Sequence, residues 1–149
     1  MESIKKEALE AFLQEVDRDF PIPLSEKVDL KLYVEKVLQS ADIVYKADGE
    51  RLQGCVIGYC INSYDDLVYI ALVATGKDYR RRGIAAELVK EFIAMAKKHR
   101  KRAVHLYAAL GATDAINVYR KIGFVDYVIE NEPRPNAVHL IYYIDGDAR

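Results

Sequence analysis

The sequence predicts a mixed α+β fold in one domain, because the spacing of its apolar residues changes twice along the chain. Helical spacing near the N-terminus gives way to strand-like runs from Ile43 to Ala74, and a helix, a strand, a helix and two strands follow. With 149 residues, 51% of them hydrophobic, the chain can fill one core and is too short for two comfortable domains. We therefore expect residues 1–149 to form a single domain.

Two helices are predicted before the first strand. The apolar residues between Lys5 and Asp17 fall on one stripe, and the segment Phe20-Pro21-Ile22-Pro23 ends this helix because proline cannot continue it. Either Ser25 or Asp29 could cap a second helix. The apolar face of that helix is formed by Leu30, Val34, Val37, Leu38 and Ala41.

The next three elements predict an antiparallel meander. Ile43 to Ala47 and Leu52 to Asn62 are strand-like, and the Asp48-Gly49 pair between them is a hairpin turn signal. A polar turn follows, and Leu67 to Ala74 gives the third strand. The meander forms the N-terminal half of the predicted sheet.

The C-terminal half predicts a β-α-β unit and a final hairpin. A helix from Ile84 to Lys98 leads into a strand from Ala103 to Ala108, which should run parallel to the third strand. A helix from Thr113 to Ile122 brings the predicted number to about four. The last two strands, expected to pair antiparallel, are Phe124 to Ile129 and Val138 to Ile144.

Composition excludes several classes of function. A formal net charge of −1 and a pI near 6.3 argue against general nucleic-acid binding, which needs a broad basic excess. The sequence lacks an apolar run long enough for a membrane span and an N-terminal signal peptide, so we expect a cytoplasmic protein. Cys55 and Cys60 fall in one predicted strand, on opposite faces and roughly 16 Å apart, so they cannot form a disulfide. No Cys/His spacing predicts a metal site.

The segment from Tyr79 to Ala86 predicts an anion site. It connects a strand to a helix, where the first backbone N–H groups lack intrahelical partners and carry the positive end of the helix dipole. Gly83 lets a ligand approach the backbone, and three arginines add charge. Neither a Gly-Lys-Ser/Thr phosphate loop nor a Gly-x-Gly-x-x-Gly dinucleotide loop is present. The expected guest is phosphate or pyrophosphate, and the alternative is a solvated basic turn.

Two motifs carry a resemblance to a known family. The pattern Arg80-x-x-Gly83-x-Ala85 resembles the coenzyme A pyrophosphate loop of the GNAT superfamily of acyl-CoA-dependent N-acyltransferases. The pattern Tyr119-x-x-x-Gly123-Phe124, after the next strand, is similar to the GNAT helix that ends in a Gly-Phe turn. The order of elements also fits, so the resemblance covers Ile43 to Ile144. It implies a GNAT-like mixed sheet whose central parallel pair is splayed at the CoA site.

The resemblance implies roles for individual residues. The pantetheine arm of acetyl-CoA would lie against the strand edge formed by Val73, Ala74 and Thr75, and the N–H of Val73 would donate to the thioester carbonyl. Tyr119 matches the tyrosine that protonates the leaving thiolate, and a packed core tyrosine is the alternative. The pyrophosphate would be held by Arg80, Arg81, Arg82, Gly83, Ile84 and Ala85.

The sequence also departs from the family pattern. Tyr69 stands where some members carry a glutamate base, and a phenol, which ionises only near about pH 10, is a poor base at neutral pH. Ordered water, His105, Tyr107 or Asp66 could serve instead. Ala112 stands where an asparagine is common, and Thr75 where valine is commoner.

These observations predict an N-acetyltransferase that transfers an acetyl group directly from acetyl-CoA to a primary amine, in a chain that could form a homodimer. The acceptor would be a small molecule, an amino sugar, an amino acid or a peptide. It should meet Pro21 to Val28, Tyr64 to Tyr69 and Asn131 to Val138. A non-catalytic CoA-binding module is the alternative, and a small phosphate or nucleic-acid binder is a third reading that the net charge disfavours.

Overall fold

The computed structural model describes residues 4–20, 22–61, 63–131, 134 and 136–144. These residues form five α-helices, two short 3-10 helices (Asp17–Asp19 and Lys77–Tyr79) and six strands. The α-helices are α1 (Lys6–Val16), α2 (Leu24–Lys27), α3 (Leu30–Ser40), α4 (Ile84–Lys98) and α5 (Thr113–Ile122). The strands are β1 (Asp42–Asp48), β2 (Arg51–Tyr59), β3 (Leu67–Thr75), β4 (Ala103–Ala109), β5 (Val125–Asp126) and β6 (Ala137–Tyr143).

All six strands belong to one mixed sheet in the order β1-β2-β3-β4-β6-β5. β1, β2 and β3 form the antiparallel meander, and β3 pairs in parallel with β4. β6 then inserts antiparallel between β4 and β5. The predicted α+β class, meander and parallel pair are confirmed.

The helices cover the two faces of the sheet unequally. α4 packs on one face, where its apolar side meets β2, β3 and β4, and α5 contributes Tyr119 to the same core. On the other face, α1 and α3 pack against a second core whose strand residues come from β1, β2 and β3. The described helices therefore leave this second face of β4, β6 and β5 uncovered.

A bulge in β3 changes the face to which its residues point. Ile57 of β2 pairs with Leu72, whereas Gly58 pairs with Ile70, so Ala71 has no partner in the β2–β3 ladder. As a result Ile70 lies in the core under α4, and Leu72 lies in the core under α1 and α3. Such a bulge bends the strand and increases its local twist.

The parallel pairing ends close to this bulge. The β3–β4 ladder runs from Leu67 opposite Ala103 to Ile70 opposite Leu106. β3 continues to Thr75 and β4 to Ala109 without further pairing between them. The two strands therefore separate toward their C-terminal ends, which is the splay that the family resemblance implies.

Three predicted boundaries need correction. β2 ends at Tyr59 rather than near Asn62, which lies outside the described residues, because Oδ2 of Asp42 accepts hydrogen bonds from the N–H groups of Cys60 and Ile61 at 2.8 Å each. β5 has two residues instead of the predicted six, and beyond Asp126 the chain keeps to β6 through the Tyr127 N–H, which donates to the carbonyl oxygen of His139 at 2.8 Å.

The third correction concerns the helices before the sheet. α2 is an additional single turn, whereas Asp29 is the cap of α3 and accepts the Leu32 N–H at 3.1 Å. Ser25 is not a cap, and its N–H and hydroxyl both bind the carboxylate of Asp17.

Both cysteines are buried and unbridged and lie on opposite faces of the sheet, but only Cys55 belongs to β2, because Cys60 follows the end of that strand. Cys55 belongs to the core under α1 and α3, and Cys60 to the core under α4. Burial raises the pKa of the Cys55 thiol to about 12, so it stays protonated at neutral pH. A thiol in that state is a poor nucleophile.

Gly58 gives a test of the packing between β2 and α4. A Cβ added there would lie 2.5 Å from Cζ of Phe92 and 2.6 Å from the carbonyl oxygen of Tyr69, and backbone cannot yield as a flexible side chain can. We expect Gly58→Ala to lower the free energy of unfolding by about 1–3 kcal/mol. Guanidinium denaturation measures this loss.

The matched control is Gly111→Ala, because nothing lies within 4 Å of a Cβ built on Gly111. The free energy of unfolding of that variant should lie within about 0.5 kcal/mol of the wild-type value. Equal stabilities of the two variants would contradict the packing described for Gly58.

Candidate active site

The loop between β3 and α4 is shaped to surround an anion. After the 3-10 helix Lys77–Tyr79, Arg81 and Gly83 both take left-handed conformations, with φ of 64° and 76°. Alternating left-handed residues turn successive backbone N–H groups toward one concave side, where they form an anion-binding nest. Among the described residues, nothing lies within 4 Å of a Cβ built on Gly83, so these residues leave the space in front of it open. A loop of this shape has room for a phosphate group, and the phosphate site stays a prediction.

Tyr79 anchors the start of this loop in the core. Its side chain is 8% exposed, and the guanidinium groups of Arg51 and Arg82 lie 5.2 Å and 5.5 Å from its ring centroid. Arg51 is held in turn by ion pairs with Glu15 and Asp78. These contacts fix the start of the loop to the core. The side chains of Arg81 and Arg82 are exposed.

Arg80 differs from the other two arginines. Its guanidinium donates to the carboxylate of Asp19 in the 3-10 helix after α1, and its Nε donates to the carbonyl oxygen of Thr75 at 3.5 Å. The sequence predicts three equivalent cations, but the structure uses one of them to join the loop to the segment that follows α1. The positive charge that faces solvent near the nest comes from Arg81 and Arg82.

Val73, Ala74 and Thr75 lie on β3 beyond the point where β4 separates. On one side they pair with Val56, Cys55 and Gly54 of β2. On the other side the β3–β4 ladder has already ended at Ile70. This edge can therefore hydrogen-bond an extended ligand through its main chain, which is the geometry expected for the pantetheine arm.

Tyr119 lies on the inner side of α5. Its side chain is 7% exposed and its ring centroid is 5.8 Å from that of Phe124, so the packing role considered from sequence is present. Burial also raises the pKa of Tyr119 to about 12. The hydroxyl therefore keeps its proton throughout the neutral range and can still act as a donor.

Five rings gather on the uncovered face at the base of the splay. Tyr69 and His105 are directly paired across β3 and β4, with ring centroids 5.1 Å apart. Tyr107 stacks on His139 of β6 at 4.0 Å, with 14° between the planes, and Tyr127 lies 4.8 Å from His139. We call Tyr69, His105, Tyr107, Tyr127 and His139 the ring cluster.

The ring cluster contains two of the three candidate base side chains. His105 and Tyr107 belong to it, and His105 is one row from the end of the β3–β4 ladder. Asp66 lies before β3, and its carbonyl oxygen accepts the N–H of Arg102 at the opposite end of the strand pair. About 10 Å of extended chain separates Asp66 from Tyr69. The structure thus brings His105 and Tyr107 to the splay and leaves Asp66 apart.

Two members of the ring cluster, Tyr127 and His139, are absent from the sequence-based candidates. His139 is 6% exposed and directly opposite Tyr107 in the β4–β6 ladder. The alternation of side chains along β6 indicates the face of the sheet on which His139 lies. Its neighbour across the sheet, however, depends on the register of two strands that are distant in sequence. In the segment between β5 and β6, the Arg134 guanidinium lies 4.4 Å from the Tyr107 ring centroid. Glu132, Pro133 and Pro135 of the predicted acceptor segment lie outside the described residues, as does Pro21.

A sequence model described as "Acetyltransferase (GNAT) family" matches residues 9–124, which include the phosphate loop and the Tyr119 motif. The chain belongs to the GNAT acetyltransferase family. The predicted family and its acyl-CoA dependence are confirmed, with acetyl-CoA as the cosubstrate. No curated protein sequence matches the chain.

Solved structures share this GNAT fold. NAA60 from Arabidopsis thaliana, solved with a bisubstrate analogue, is 24% identical with a TM-score of 0.71, and the match covers 95% of each chain. The ribosomal-protein-S18-alanine N-acetyltransferase from Escherichia coli is 16% identical with a TM-score of 0.73, over 97% of this chain and 90% of that one. A Bacillus subtilis acetyltransferase in complex with CoA is 18% identical with a TM-score of 0.60, over 76% and 83%.

Among the described residues, every helix is too short or too polar to span a bilayer. Within the same part of the chain, no three His, Cys, Asp or Glu side chains converge as a metal ion would require.

Gly83 provides the test of the phosphate loop. We expect Gly83→Asp to reduce CoA affinity by at least about 100-fold, because it places a side chain and a negative charge where phosphate would lie. Isothermal titration calorimetry with CoA on the folded variant measures this loss.

Gly49→Asp is the matched control. Gly49 also has a left-handed φ of 64° and open space around it, but it lies in the β1–β2 turn. Both variants carry the same conformational penalty of about 1–2 kcal/mol, and only Gly83→Asp should lose CoA. Unchanged affinity in Gly83→Asp would contradict the assignment of the loop.

Proposed function

We propose that this GNAT protein is an N-acetyltransferase that transfers an acetyl group from acetyl-CoA directly to a primary amine. The observation that carries the proposal is that the anion nest and the Tyr69–His105 pair both lie beside the gap between β3 and β4. The anion nest follows the C-terminal end of β3, and Tyr69 and His105 pair one row before the β3–β4 ladder ends. A cosubstrate bound by its phosphates at the nest can extend along the β3 edge toward the ring cluster.

The strand edge prepares the thioester for attack. Acetyl-CoA supplies an acyl group activated as a thioester. The N–H of Val73 donates to its carbonyl oxygen, and the bond strengthens as negative charge develops there, an effect worth roughly 3 kcal/mol for one such donor. Ala74 and Thr75 align the pantetheine arm by main-chain hydrogen bonds. The phosphates are held by Arg80, Arg81, Arg82, Gly83, Ile84 and Ala85, with Arg80 acting through its backbone because its side chain binds Asp19.

His105 is the base that takes the proton of the acceptor amine. An imidazole changes charge near neutral pH, whereas a phenol such as Tyr69 or Tyr107 is a weak acceptor there. Asp66 is the weaker candidate, because it lies at the other end of the strand pair, where its carbonyl oxygen accepts the N–H of Arg102. Tyr69 and Tyr107 then line the approach to His105 and orient the amine.

Tyr119 is the acid that protonates the leaving thiolate. Because burial raises its pKa to about 12, the phenol is protonated at every pH at which the protein is ordinarily assayed. A covalent acyl-enzyme is disfavoured, because Cys55 is buried with a raised pKa and neither cysteine lies in the loop or in the Tyr119 motif. Transfer therefore occurs in one complex that holds both substrates.

The acceptor is an amine of a small molecule, an amino sugar, an amino acid or a peptide. The proposed protein is cytoplasmic and forms a homodimer. The alternative, a domain that binds CoA without turnover, is motivated by Tyr69 in place of a glutamate base. A panel of amines assayed with acetyl-CoA separates the two. Acetylation of any of them supports the enzyme, and CoA binding with no turnover supports the module.

His105→Gln tests the base. Glutamine has a similar length and can form hydrogen bonds, but it cannot take a proton at neutral pH. We expect kcat to fall by about 100-fold, because a positioned base contributes roughly 10²–10⁴-fold. Steady-state assays with saturating acetyl-CoA measure the change.

Asp66→Asn is the control for His105→Gln, since it removes a carboxylate at the other end of β3. It should keep nearly the wild-type kcat. A large loss in Asp66→Asn with little loss in His105→Gln would reverse the assignment of the base.

Tyr119→Phe tests the acid. The substitution keeps the ring and its packing on Phe124, so we expect kcat to fall by about 100-fold with the KM for acetyl-CoA nearly unchanged. The raised pKa adds a pH prediction. An acid is lost as pH rises through its pKa, and here that lies at about 12, so ionisation of Tyr119 should not lower the wild-type kcat between about pH 6 and about pH 10. A variant with the wild-type kcat across this range would make Tyr119 a packing residue only.

A further inference from the structure

The two histidines of the ring cluster are joined directly. Nδ1 of His105 lies 2.8 Å from Nε2 of His139, with the two ring planes at 55°. At that distance one nitrogen donates a proton and the other accepts it. The two rings therefore cannot both carry a proton at this contact, and the orientation of the bond fixes where the remaining protons lie.

The fold holds His139 in place for this contact. His139 is directly opposite Tyr107 in the β4–β6 ladder, and His105 lies two residues before Tyr107 on the same face. His105 and His139 are thus diagonal neighbours across two strands. The stacking of His139 on Tyr107 and its low exposure of 6% restrict the plane of its ring, so Nε2 points toward His105.

We propose that His139 is a positioning residue for acetyl transfer: its Nε2 accepts the Nδ1–H of His105 and holds His105 in the tautomer whose Nε2 takes the proton of the amine. This inference rests on the proposed function, in which His105 is the base. His139 touches neither substrate and acts through His105. Because Nδ1 of His105 is engaged in this hydrogen bond, Nε2 is the atom of His105 that receives the proton.

The protons balance through the step. In the neutral pair each ring carries one proton, on Nδ1 of His105 and on Nδ1 of His139. The N–H bond of the amine breaks and its proton bonds to Nε2 of His105, while the nitrogen electron pair forms the bond to the acetyl carbon. The C–S bond of the thioester breaks, and the CoA thiolate leaves with its electron pair and takes the proton of Tyr119. The Nδ1 proton stays on His105, and its hydrogen bond to neutral His139 becomes charge-assisted and stronger. Water later removes the proton from Nε2.

Other ionisable groups face the pair from every neighbouring strand. They are the phenols of Tyr69, Tyr107 and Tyr127, at ring distances of 5.1 Å and 6.4 Å from His105 for the first two and 4.8 Å from His139 for the third. The Arg134 guanidinium lies beyond Tyr107. A charge that appears on His105 is stabilised in part by the His139 acceptor.

Nitrogen NMR reads the tautomer without turnover. The chain has three histidines, and His99 is exposed at the end of α4, so His99→Gln leaves only the signals of the pair. At a pH where both rings are neutral, we expect a protonated-type ¹⁵N shift for Nδ1 of His105 and an unprotonated-type shift for Nε2. The reverse pattern means that His139 donates to His105, which overturns the proposal.

Kinetics of two variants test the catalytic consequence. His139→Phe keeps an aromatic ring against Tyr107 but removes the acceptor, whereas His139→Gln restores an oxygen acceptor at similar reach. A hydrogen bond to a charged group is worth roughly 10- to 100-fold, so kcat of His139→Phe should fall by about that factor. The amine KM should change little, and the acid limb of the kcat/KM profile should move to lower pH. His139→Gln should recover most of the rate, and circular dichroism checks that both variants fold.

The outcomes separate this inference from the proposed function. A wild-type chain that acetylates no amine overturns the proposed function and the positioning role with it. An active wild type with His139→Phe at the wild-type rate overturns the positioning role alone. So does an equal loss in His139→Phe and His139→Gln with the acid limb unmoved, because that pattern is what a purely structural residue gives.

Discussion

The separation of β3 from β4 is the constraint on which the rest of the site depends. Breaking a sheet open exposes backbone N–H and C=O groups that a strand would normally satisfy, and such groups must find water or a ligand. The fold tolerates this because each strand keeps its other neighbour to the end. β3 pairs with β2 as far as Thr75, and β4 pairs with β6 as far as Ala109. The gap therefore has two rigid walls, and the ring cluster closes its base.

The two ends of the gap have different electrostatic character. The nest end combines the N-terminus of α4 with exposed Arg81 and Arg82, whereas the base of the gap holds the phenol and imidazole rings of the ring cluster. A net charge of −1 for the whole chain shows that this positive end is local. Acidic partners confine it further, since Arg51 and Arg80 pair with Glu15, Asp78 and Asp19. Ion pairs this exposed add little stability, and what they supply here is the direction of the side chains.

Local signals account for most of what the sequence predicts correctly. The bounds of α4 and α5 agree with the predicted ones, because a strong apolar stripe and the Gly123 stop are properties of neighbouring residues. The short β5 and the early end of β2 depend on distant partners such as Asp42. The site divides in the same way. The loop motif predicts the nest, whereas the side-chain direction of Arg80 and the meeting of His105 with His139 follow only from tertiary structure.

The contact between Arg80 and Asp19 joins the turn of the nest to the segment that follows α1. Asp19 ends the segment after α1, and Asp17 of the same short helix holds Ser25 at the start of α2. Arg80 opens the turn that forms the nest. A ligand that shifts this turn therefore changes the free energy of the segment from Asp17 to Ser25, and a ligand on that segment changes the affinity of the nest by the same amount. In the proposed function, this reciprocity couples the binding of acetyl-CoA to the binding of the acceptor through one ion pair, without any contact between the two.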